Sequence, residues 1–139
     1  MWTMRATLLT ILLMVLCLSA GAQQNLPACD GELAVVRVSQ IKPGGSVDGF
    51  MKAVAAHLAW YRSHGFTGNR IFASRVLESD PSGPTRYSEK IVLTYHFNPP
   101  GMGNPPGRGD AAWNAYVQLY RDNSEIRSEY VTCMPQLQH

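Results

Sequence analysis

Two cysteines, Cys29 and Cys133, bracket nearly every patterned segment of this 139-residue chain, so the fold must be one whose ends can be tied together. A third, Cys17, falls within residues 1–22, where a short start carrying Arg5 precedes an apolar run from Ala6 to Leu18 and the small residues Ala20, Gly21 and Ala22. A basic start, an apolar core and an A-x-A ending read as a cleaved secretory signal peptide, and the run is shorter than the roughly 20 residues that span a bilayer. Lipidation of Cys17 fits poorly, because Leu16 precedes it where a small residue is needed. Cleavage after Ala22 leaves 117 residues and an even pair of cysteines. The expectation is an exported protein, periplasmic or secreted, with no membrane attachment after cleavage and a Cys29–Cys133 disulfide.

The formal net charge is only +2, and the 12 basic residues are spread singly. Nucleic acid as a partner is therefore not expected, since it calls for a basic stripe or cluster. The length suits one domain. Residues 23–31 read as a polar leader, 32–135 as a single α+β domain and 136–139 as a tail.

Glu32 to Lys42 is rich in Val and Ile and stops at Pro43-Gly44-Gly45, which predicts a strand. Ser46 can cap the segment that follows, Asp48 suits its first turn, and Gly65 ends it. Between them Val47, Phe50, Met51, Val54, Leu58 and Tyr61 recur at helical spacing. Asn69 to Ser79 and Arg86 to Phe97 predict two strands joined through the Pro/Gly turn at 80–84. Asn98 to Gly109 holds four Pro and four Gly in twelve residues and is a loop, either a surface connection or a lid. Asp110 opens a second helix with Trp113, Tyr116, Val117 and Tyr120 on one face, and Glu129 to Pro135 predicts a short last strand.

Strand, helix, strand, strand, helix, strand is the order of a ferredoxin-like βαββαβ sheet, in which the last strand runs antiparallel beside the first. That places Cys29 and Cys133 together. In the strand ending at Phe97, Ile91, Leu93, Tyr95 and Phe97 are expected under the helices, with Lys90, Val92, Thr94 and His96 on a mixed outer face. A second protomer's sheet packed face to face would cover that outer face, giving a homodimer.

The element order, the first-helix segment His57 to Gly65 with Trp60 and Tyr61, and the Trp/Tyr-rich second helix resemble the dimeric α+β barrel superfamily over Leu33 to Pro135. Its members include small monooxygenases of antibiotic biosynthesis, haem-degrading enzymes and polyketide cyclases. The resemblance implies a small apolar or aromatic ligand held between sheet and helices, and a dimer.

On the first helix His57, Trp60 and His64 stand at i, i+3 and i+7. With Phe50 and Trp113 they would wall a ligand cleft. Seven residues separate the histidines by about 10.5 Å along the axis, too far for two ligands of one metal ion. Neutral imidazole can accept a proton from a phenol or an activated carbon acid, which makes His57 with Tyr61 and Tyr95 a candidate catalytic set. His96 is the rival base, on the sheet face opposite Tyr95. There is no G-x-S-x-G elbow, P-loop, C-x-x-C-H or H-E-x-x-H motif, so neither cofactor nor metal is expected. The function expected is binding of a small apolar or aromatic molecule, with cofactor-independent monooxygenase or cyclase chemistry, or else a non-catalytic binding or interaction module.

Overall fold

In the computed structural model, residues 28–135 are described. The expected signal segment and tail lie outside them. The elements are β1 (Glu32–Ile41), α1 (Val47–Ser63), β2 (Arg70–Glu78), β3 (Arg86–Phe97), a 3-10 turn at Pro100–Gly103, α2 (Ala111–Asn123) and β4 (Ser124–Met134). They form an α+β domain with one four-stranded sheet in the order β2-β3-β1-β4. Each neighbouring pair is antiparallel.

Local chemistry sets the helix starts. The Ser46 side chain accepts the Gly49 N–H at 2.9 Å, and Asp110 accepts the Trp113 N–H at 2.7 Å; each satisfies a backbone donor that has no intrahelical partner. Gly65, at φ +81, turns the chain out of α1.

Strand β4 begins at Ser124 rather than near Glu129 and follows α2 with no intervening loop. Its first half, Ser124 to Ser128, is polar apart from Ile126 and lies in an edge strand, so a sustained apolar alternation is missing there. Asn123 secures the junction. Its side-chain oxygen accepts the Ser46 N–H at 3.0 Å, and its carbonyl accepts the Lys42 N–H at 3.0 Å. A Cβ on Gly49 would overlap the Asn123 side chain.

The face assignment of the sheet is the reverse of the one expected. Val92, Thr94 and His96 are buried beneath the helices with Val35, Ser39 and Ile71. Ile91, Leu93, Tyr95 and Phe97 point to the open side, where Phe72, Tyr95, Val36 and Tyr130 line up as one cross-strand row. Phe72 is 54% exposed and Tyr130 56%. The expectation failed because it gave the more apolar face to the helices, whereas the roofed face carries Arg37, Thr94, His96 and Glu129.

Cys29 and Cys133 form a disulfide, with Cα atoms 5.6 Å apart across 104 residues of sequence. Cys133 lies opposite Leu33 in the β1–β4 pair, so strand pairing itself brings the sulfurs near. Constraining a loop of that length in the unfolded chain stabilises the domain by about 2–5 kcal/mol. Among the described residues no helix is long and apolar enough to cross a membrane.

Two outcomes are expected. Intact-mass measurement should show the protein gaining two hydrogens on reduction, and the paired Cys29→Ser, Cys133→Ser variant should lose about 2–5 kcal/mol in denaturant melts. Gly49→Ala should cost about 1–3 kcal/mol, because Asn123 must move and give up its bond to Ser46; unchanged melting would show that the junction is slack.

Candidate functional site

Between the roofed sheet face and the two helices lies a cavity of about 550 Å³, within the range of small-molecule sites. Helix α1 contributes Phe50, His57 and Tyr61, helix α2 contributes Trp113, Tyr116 and Tyr120, and the sheet contributes Arg37, Thr94 and His96.

The rings are closely packed. His57 stacks on Tyr116 with centroids 4.4 Å apart and on Tyr61 at 5.0 Å. It meets His96 edge-on at 5.5 Å, and its Nδ1 is 3.4 Å from the Tyr120 hydroxyl. His57 is 7% exposed and Tyr116 3%, so ionising either would place a charge in an apolar enclosure.

Burial, then the neighbouring His96, then the Arg37 guanidinium hold the His57 pKa down to about 3. Burial followed by Arg37 lowers that of His96 to about 4. Burial pushes Tyr61 up to about 12, and it raises Tyr116 and Tyr120 as well. Near neutral pH both imidazoles are therefore neutral and all three phenols protonated.

A hydrogen-bond chain selects the His96 tautomer. Arg62 donates to the Asn69 side-chain oxygen at 2.8 Å, which turns the Asn69 amide nitrogen toward His96 Nε2 at 3.1 Å. Asn69 donates there, so His96 carries its proton on Nδ1. Arg37 stands opposite Thr94 and Glu129 in the sheet, and its Nε donates to Glu129 at 2.5 Å.

Among the residues selected from sequence, His57, Tyr61, His96, Phe50 and Trp113 come together in the cavity. Tyr95 does not, since strand alternation puts it on the open face with Phe72. Trp60 and His64 are also outside the lining. Trp60 is buried where α1 meets α2, with its indole N–H on Asp110 at 3.0 Å. His64 caps α1 and bonds the same carboxylate at 2.8 Å. The i, i+3, i+7 stripe thus runs past the cavity into the helix junction, because His64 lies two turns beyond His57.

Sequence reasoning did not assign a site role to Arg37, Asn69, Thr94, Tyr116 or Tyr120. A lone arginine within a run of strand formers, and tyrosines four apart on α2, were the available signals. Nothing local marked Asn69. Among the described residues no cluster of three or more His, Cys, Asp or Glu side chains could hold a metal ion.

Fold and site together define an α+β domain whose sheet and helices enclose an aromatic cavity with one arginine in its floor. No protein-family model matches the chain, and no curated protein matches it significantly. Among solved structures, a phage SAM lyase in complex with S-methyl-5'-thioadenosine is 14% identical; the match covers 81% of this chain and 98% of that one, with a TM-score of 0.26. That likeness is too slight to carry an inference about fold or ligand.

The buried imidazoles make stability depend on pH. In the unfolded chain they titrate near 6.5, so below that value the unfolded state binds protons that the folded state excludes, and stability falls as pH falls. Melting midpoints should decline from about pH 7 to roughly pH 5, above the range where most carboxylates protonate. His57→Phe should flatten that decline. A wild-type midpoint that is level across the interval would contradict the burial of neutral imidazoles.

Proposed function

We propose that this protein is a binding domain for a small aromatic molecule held between the helices and the roofed sheet face. The observation that carries this is the cavity of about 550 Å³ walled by Phe50, His57, Tyr61, Trp113, Tyr116 and Tyr120. Rings at such a wall favour offset-stacked and edge-to-face contacts with an aromatic guest.

The electrostatics favour binding over proton-transfer catalysis. A general base works best with a pKa near the operating pH, whereas burial holds His57 at about 3 and His96 at about 4. The His96 Nε2 lone pair is further occupied by Asn69. Monooxygenase or cyclase chemistry with His57 as base is therefore the second reading.

Three features support the wider proposal. The strand order β2-β3-β1-β4, with β3 lying antiparallel between β1 and β2, agrees with a ferredoxin-like arrangement. The disulfide and the Arg5-to-Ala22 sequence pattern favour export. The open row Phe72, Tyr95, Val36 and Tyr130 favours a homodimer joined sheet to sheet, since a contiguous apolar face is costly to leave in water.

Titration of the purified protein with one- to three-ring aromatics, followed by calorimetry and tryptophan emission, tests the central proposal. Saturable binding is expected, with quenching that is lost in Trp113→Phe and kept in Trp60→Phe. Heat signals no larger than those of dilution across the series would sink it. Sedimentation should give a dimer for the wild type and a monomer for Phe72→Glu, Tyr130→Glu.

A further inference from the structure

Several donors that line the cavity bond no other described residue. The Tyr116 hydroxyl is buried without any hydrogen-bond partner, although Tyr116 lines the cavity. An orphaned buried hydroxyl is unfavourable unless something completes it. The Tyr61 phenol lines the same space. His96 has its Nε2 taken by Asn69, which leaves an Nδ1–H able only to donate.

Arg37 supplies a donor fork. Its bond to Glu129 uses Nε, so the two terminal amino groups of its fork make no hydrogen bond to another described residue. The nearby carboxylates are already committed. Glu129 is paired to Arg37, and Glu125 at the cavity edge is paired to Arg127 at 2.9 Å. The Lys42 ammonium is likewise engaged, donating to the Arg121 carbonyl at 2.6 Å.

Building on the proposed aromatic binding, we propose that the ligand is an aromatic carboxylate, its ring among the tyrosines and its carboxylate received by the free fork of Arg37 and the Tyr116 hydroxyl. A planar carboxylate matches a guanidinium fork with two parallel hydrogen bonds. Arg37 and Glu129 balance each other in formal charge, and the surplus positive charge of the lining, which favours an anion, comes from Lys42 and Arg121. The predominantly apolar walls and the absence of a Gly-rich phosphate cradle suit a ring acid better than a phosphate ester. The field of Arg37, which reaches the cavity histidines and tyrosines alike, favours an anion at that place.

Calorimetry with the disulfide-intact protein, comparing naphthalene-2-carboxylate with naphthalene-2-carboxamide, separates charge from ring. The acid should bind at least about tenfold more tightly, as a charge-assisted pair contributes roughly that factor. Arg37→Gln should lower acid affinity by about tenfold while leaving the amide within about twofold. Tyr116→Phe, which removes one oxygen and no packing, should weaken the acid several-fold with its melting midpoint retained, and it carries the test if Arg37→Gln does not fold. Equal affinities of acid and amide for the wild type would overturn the carboxylate proposal and leave aromatic binding standing. Binding of neither compound would overturn both.

Discussion

Strand β1 is hydrogen-bonded along both edges, to β3 on one side and β4 on the other, and the rest of the domain takes its position from that double pairing. The disulfide ties the end of β4 to the chain entering β1. Because α2 passes into β4 at Asn123 with no loop, pairing of β4 with β1 also places α2 over the sheet. Asn123 then holds the start of α1 through Ser46. Roof and floor of the cavity are thus linked through one strand, and Arg37 sits in the middle of it, between Thr94 and Glu129. A side chain needed at a fixed depth gains from standing where the backbone is held on both sides.

Burial governs the chemistry of the cavity more than any individual bond. Removing imidazole and phenol groups from water disfavours their charged forms, so His57 and His96 stay neutral while Tyr61, Tyr116 and Tyr120 keep their protons. Arg37 stands beside them on β1, with its Nε donating to Glu129. The outcome is a set of neutral rings and protonated phenols beside the Arg37–Glu129 ion pair. Such an arrangement suits the proposed recognition of a ring better than the movement of a proton near neutral pH.

Much of the domain was legible from local signals. Ser46 and Asp110 have the short oxygen-bearing side chains that helix starts require, and both act as caps in the structure. The element order, with cysteines outside the first strand and near the end of the last, was enough to anticipate the bridge. Strand β4 was underestimated because Ser124 to Ser128 lacks a sustained apolar alternation, and an edge strand can be held by backbone pairing to β1 alone. Tyr95 was misplaced, and Trp60 and His64 with it, because residue type and periodicity identify a face or a stripe without saying what lies against it.

The sequence by itself determined where the two helices and the first three strands start, which cysteines could pair, and that Phe50 and Tyr61 share one side of α1, since caps, breakers and periodicity act over a few residues. Only tertiary structure decided which side of the sheet the helices cover. A pleated strand offers two faces at once, and here the open one, with Phe72, Tyr95 and Tyr130, is the more apolar. The roofed face gave up apolar area to hold Arg37, Thr94 and His96. Their shared setting is created by β1–β3 pairing and helix packing between residues far apart in the chain, contacts that leave no local trace.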